Sequence, residues 1–187
     1  MKRATHVATL LSAVLLLPLS TLAKDGGVEK TSLDANTAFE AIKGLDGTWV
    51  GEADIVREGQ QQPAGTKSPA KITFKTIANG TSVTATFAES TPTEMVSLFH
   101  QDGKDKLIHT HYCAIGNQPS MLFQKSAEPG LIKFLFTSGT NMDVDKDPHV
   151  HNTTFRILDK DTIETETDLW ADGKRSAVRR SKLVRQK

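Results

Sequence analysis

The chain has 187 residues, with 23 Lys+Arg against 22 Asp+Glu, 37% hydrophobic and 24% charged residues, and a single Cys. This is one domain's worth of ordinary globular sequence, without the bias of a disordered tail, a collagen-like repeat, a disulfide scaffold or a multi-pass membrane protein. The near-neutral charge argues against a dedicated nucleic-acid binder.

Residues 1–23 read as a secretory signal cleaved after Ala23. Lys2 and Arg3 supply a basic start, Val7 through Leu19 an apolar run, and Thr21-Leu22-Ala23 a small-residue end. The run is too short to span a bilayer comfortably. Its removal predicts a periplasmic or secreted protein with no stable membrane insertion, and takes the formal net charge from +1 to −1 as Lys2 and Arg3 leave. The lone Cys113 cannot form an intramolecular bridge. Residues 24–34 are polar and Gly-containing and predict a flexible lead-in, followed by a single domain over 35–187.

One short helix is predicted at 35–43. Thr37-Ala38-Phe39-Glu40 fits a capping box, Phe39 and Ile42 share a face, and Gly44 sits where a helix C-cap wants positive φ. From Thr48 onward the pattern has period two, giving strands at 48–57, 70–77, 81–88, 94–100, 107–114, 120–125, 131–137, 149–158, 162–170 and 175–184. Turn chemistry separates them, as at Asn79-Gly80, Asp102-Gly103, Pro129-Gly130 and Asp172-Gly173. About ten consecutive antiparallel strands with short turns predict an all-β, up-and-down barrel, and a barrel of that width leaves a small internal cavity.

Leu45-Asp46-Gly47-Thr48-Trp49, just after the helix, resembles the Gly-x-Trp opening of the calycin group: lipocalins, fatty-acid-binding proteins and nitrobindin-like barrels, in which the Trp closes one end. Thr110-His111-Tyr112-Cys113-Ala114-Ile115-Gly116-Asn117-Gln118-Pro119, with Met121 and Gly139-Thr140-Asn141, resembles a family of exported bacterial lipocalin-like proteins of unassigned activity. The likeness runs from about Leu45 onward. It implies small-molecule binding as the default and catalysis as the exception.

The histidines carry the most chemistry. His109 and His111, and His149 and His151, form two His-x-His pairs, and residues i and i+2 of a strand point the same way. His149 and His151 share their side with Thr153, Phe155 and Ile157, the more apolar face and hence the inner one. A two-residue Asp102-Gly103 turn would set Leu98 opposite Leu107, Val96 opposite His109 and Glu94 opposite His111. His109, His111 and Cys113 would then face inward with Leu98 and Val96. Two readings follow: the imidazoles are hydrogen-bonding polar groups lining a ligand cavity, or His109, His111, His149 and His151 bind a zinc-sized metal or haem, with Glu94 as orienter.

Asp143-Val144-Asp145-Lys146-Asp147 imitates the start of an EF-hand loop, but Pro148 stands where Gly is required. No Gly-x-Ser-x-Gly, Walker loop or His-Glu-x-x-His occurs. Across the Asp172-Gly173 turn, Glu166 is expected opposite Arg179 and Arg175 opposite Trp170, which turns Arg180 and Lys182 inward. Fatty-acid-binding proteins use Arg in a similar place, so this resemblance implies an anionic head group on Arg180. The whole predicts an exported small-molecule-binding barrel using His109, His111, Cys113, His149, His151, Glu94 and Arg180, or alternatively a metal or haem centre, catalytic or not, on the histidine pairs.

Overall fold

The computed structural model describes residues 33–60 and 67–187. The predicted signal and most of the lead-in lie outside the described residues. Leu33 and Asp34, at the end of that lead-in, are engaged: Leu33 bridges to Ser126, and Asp34 caps the helix.

Helix α1 (Ala35–Lys43) has its N-cap three residues before the start of the predicted capping box, because Asp34 accepts the Thr37 N–H at 2.7 Å and leaves Thr37 inside the first turn. Ala35, Ala38, Phe39 and Ile42 form its buried stripe. Gly44 is right-handed, with φ −62, and its N–H continues the helical pattern onto the Glu40 carbonyl. The positive φ falls instead at Gly47, at 119°.

Ten strands follow: β1 (Gly47–Arg57), β2 (Ser68–Ile77), β3 (Ser82–Phe87), β4 (Met95–Asp102), β5 (Lys106–Tyr112), β6 (Gln118–Gln124), β7 (Leu131–Thr140), β8 (His149–Asp159), β9 (Thr162–Ala171) and β10 (Lys174–Arg185). Each pairs antiparallel with its chain neighbour, and β1 pairs with β10, so the sheet closes into a barrel with no free edge. The inner face carries the core, with Ile72, Phe74, Phe99, Phe134, Phe155, Ile163 and Leu183 all fully buried. Phe74, Phe99 and Phe134 meet Phe155 at centroid distances of 6.1, 5.8 and 6.4 Å, edge-on, the geometry that aromatic quadrupoles favour.

Trp49 closes the end where α1 sits. It is fully buried, its Nε1–H donates to the Leu45 carbonyl at 2.7 Å, and the Arg185 guanidinium lies 4.3 Å over its ring. Arg185 also donates to the carbonyls of Gly44 and Asp46. Odd-numbered strands start at this plugged end and even-numbered strands start at the other, which stays open.

Two registers differ from expectation. The β4–β5 connection has three residues, pairing Asp102 with Lys106, Phe99 with His109 and Ser97 with His111. His109 and His111 therefore face inward with Phe99 and Ser97, while Val96 and Leu98 point outward. A bulge between Arg175 and Ala177 moves β10 by one residue, pairing Arg179 with Thr167, Arg180 with Glu166 and Lys182 with Glu164. This reverses the expected faces. Arg180 points outward and pairs with Glu166 at 2.8 Å, Lys182 likewise with Glu164 at 3.8 Å, and Arg179 turns into the barrel.

Candidate functional site

Above the aromatic core the barrel holds a cavity of about 510 Å³ that opens at the end away from α1. Phe155 and Ile72 form its deep end, and Ile55 and Ile115, 49% and 64% exposed, its rim. Among the described residues no carboxylate lines it. Its wall carries His109, His111, His149, Cys113 and Arg179.

His109 and His111 are joined through a serine. The Ser97 hydroxyl lies 2.8 Å from His109 Nε2 and 3.1 Å from His111 Nδ1, and all three side chains are buried. Phe99 stacks on His109 with centroids 4.4 Å apart, and Phe87 meets His111 edge-on at 5.8 Å. Burial pushes His109 well below the ordinary histidine range, with His111 as a second cause, and holds His111 at about 4. Both rings are neutral at physiological pH. His109 Nδ1 and His111 Nε2 have no hydrogen-bond partner among the described residues.

The second pair behaves differently, because a bulge between Val150 and Asn152 interrupts the two-residue alternation at His151. His149 is buried and lines the cavity. His151 stacks behind it between Trp170, 3.7 Å away, and Phe136, 4.6 Å away. The His149 Nδ1 lies 2.8 Å from the Asp147 carbonyl and so carries a proton, leaving Nε2 to accept from His151 Nδ1 at 3.0 Å. Burial, then the neighbouring His149, lowers the His151 pKa, against the opposing charge of Asp168. Among the described residues no three His, Cys, Asp or Glu side chains come together to hold a metal ion.

The remaining candidates divide. Cys113 lines the cavity with its thiol 3.8 Å from Met95 Sδ. Glu94 does not face His111; it lies in the exposed β3–β4 turn and accepts the Ser90 N–H. Arg180 lies outside the barrel. Arg179 takes the place expected of Arg180: half-buried, on the cavity wall, and without a hydrogen bond or salt bridge to any described residue. Burial lowers its pKa while Asp54 opposes the shift, and a guanidinium retains its charge throughout. Sequence reasoning missed Arg179 and Ser97. The bulge that turns Arg179 inward has no sequence signature, and Ser97 becomes visible only once the three-residue connection is known.

The Thr110 to Pro119 stretch frames the mouth. The Asn117 side chain donates to the Pro148 carbonyl at 2.8 Å, and Asn141 donates to the Gly116 carbonyl at 2.7 Å, tying the β5–β6 turn to the segment that presents His149. The Asp143 run is a self-capped turn in which Asp147 accepts the Asp143 N–H and Lys146 pairs with Asp143 at 2.9 Å.

No family model matches the chain, and no curated protein is significantly similar to it. Solved structures do share its fold. Rv2717c from M. tuberculosis superposes with a TM-score of 0.56 at 17% identity, covering 80% of this chain and 98% of that one. A DUF3598-family protein of unknown function from Nostoc punctiforme superposes with a TM-score of 0.53 at 15% identity, covering 78% of this chain. This chain spans about half, 49%, of that protein's length. At these identities the likeness shows a shared fold alone, and the closed ten-strand antiparallel barrel fits a lipocalin-like fold. Among the described residues no helix is long and apolar enough to cross a membrane.

Proposed function

We propose that this is an exported small-molecule-binding barrel whose cavity holds an amphipathic organic anion, with the anionic group on Arg179 and the apolar body against the aromatic walls. The observation that carries the reading is the guanidinium itself: a charge on the wall of a largely apolar cavity, without a hydrogen-bond acceptor among the described residues, on which Asp54 acts through its charge from outside the cavity lining. A charge in such a place that lacks a hydrogen-bond acceptor is costly, and an incoming carboxylate relieves that cost through a charge-assisted, bidentate hydrogen bond. The apolar lining supplies affinity without direction, and the guanidinium fixes orientation.

Calorimetric titration with decanoate, decan-1-ol and decylamine tests this. Decanoate binds with one-to-one stoichiometry, decylamine does not, and Arg179→Gln weakens decanoate at least tenfold while Arg180→Gln leaves it unchanged. Equal binding of all three probes, or indifference to Arg179, overturns the reading. Mass analysis of the exported chain carries the rest of the proposal: Lys24 is its first residue, and an intact Met1 removes the assignment to the periplasm or medium. A stoichiometric metal or a haem absorption band in the same sample, purified without a His tag, would favour the histidine-centred alternative instead.

A further inference from the structure

The Ser97 hydroxyl has one proton and touches two imidazole nitrogens, 2.8 Å away at His109 Nε2 and 3.1 Å away at His111 Nδ1. If it donates to His111, then His109 donates to it. His109 then carries its proton on Nε2, and so does His111, whose Nδ1 is the acceptor. If the serine donates the other way, both rings carry the proton on Nδ1. Satisfying both contacts thus locks the two neutral histidines into the same tautomer. The first arrangement leaves a bare lone pair at His109 Nδ1, deep among Phe99, Phe134 and Phe155; the second leaves an N–H there. Each arrangement strands one buried N–H, at His111 Nε2 in the first and at His109 Nδ1 in the second. The His109 ring is enclosed by three phenylalanines, where no acceptor can reach it, whereas His111 has Phe87 as its one aromatic neighbour on the cavity wall. The relay therefore settles with the stranded N–H at His111 Nε2, within reach of an acceptor in the cavity.

His111 stands on β5 and Arg179 on β10. In the closed ring of ten strands these are five strands apart in either direction, so the two residues face each other across the lumen, and both line the same cavity. We infer that His111 Nε2–H is a second polar anchor, opposite Arg179, and that the ligand is an anion whose far end carries a neutral hydrogen-bond acceptor such as a carbonyl or ether oxygen. Ser97 is the positioning residue that fixes the direction of the bond. The ligand part of this inference rests on the anion reading above; the tautomer lock does not.

Two measurements on the mature chain test it. In ligand-free protein, the ¹³Cδ2 and ¹⁵N resonances of His109 and His111 report both rings as Nε2–H, and Ser97→Ala releases them into mixtures; opposite tautomers in the two rings overturn the lock. In titrations, the wild type prefers 9-oxodecanoate over decanoate by about fivefold, the size of one recovered hydrogen bond. His111→Phe abolishes that preference while keeping decanoate binding, and His111→Gln, which keeps an N–H donor, retains part of it. Decanoate binding through Arg179 with no preference for the ketone overturns the second anchor alone. If neither probe binds, or Arg179 is irrelevant, the anion reading falls and the second anchor falls with it.

Discussion

Two neutral imidazoles packed side by side in an apolar wall tie the stability of the barrel to pH. An unfolded histidine takes up a proton near pH 6.5, whereas His111 in the fold does so only at about 4, and His109 is depressed for the same reason. Between those values the unfolded chain binds more protons than the native one, so the stabilisation is fully present above pH 6.5 and is lost as pH falls toward 4. From pH 7 to pH 5 His111 should cost about 2 kcal/mol of unfolding free energy, and His109 adds a loss of the same sign. Urea unfolding at the two pH values measures the loss, and His111→Gln should reduce it by about 2 kcal/mol. Equal losses in variant and wild type would mean that these rings are not buried neutral. At this scale the sequence was informative about residue type and uninformative about partners. The His-x-His spacing of 109 and 111 marks two rings on one face, but Ser97 between them, and Arg179 rather than Arg180, depend on which residue stands opposite which.

At the scale of elements, those oppositions are set by irregularities one residue long. The three-residue β4–β5 connection, the bulge before Ala177 and the bulge at His151 each shift a face, because a one-residue slip sends a whole strand's side chains to the other side. None has a composition signal, whereas the strands and their turns do, through period-two patterning and residues such as Asn79, which is left-handed with φ 54. Capping chemistry was legible but misplaced: Asp34 won over Thr37 because it sits directly before the first buried residue of the helical stripe, Ala35. Gly51 shows what barrel closure demands of an element. A Cβ there would lie 2.1 Å from the Lys182 carbonyl oxygen, across the β1–β10 seam. Gly51→Ala should therefore cost about 1–3 kcal/mol, read as a lowered Tm, since backbone on both strands has to move. An unchanged Tm would mean that the seam is looser than described.

For the molecule as a whole, the closed meander of ten strands with one helix at its end is the level at which sequence and structure agree best, since each strand needs only its chain neighbour to pair with. Plugging one end with α1, Trp49 and Arg185 leaves the cavity a single mouth among the described residues, rimmed by Ile55 and Ile115. The outer face meanwhile cancels its charges in cross-strand pairs such as Glu166 with Arg180 and Arg175 with Glu58. Such exposed pairs contribute little to stability, but they leave Arg156, Arg175 and Arg180 already partnered. Arg179, inside and without a hydrogen-bond acceptor among the described residues, is thereby set apart from these three, and the central claim turns on that contrast. The most direct measurement follows the arginine Nε–H resonances of the ¹⁵N-labelled mature chain during a decanoate titration. The account predicts a saturable shift of the Arg179 resonance, with Arg180 and Arg156 unmoved; shifts confined to the outward arginines, or no saturable shift of Arg179, would contradict it.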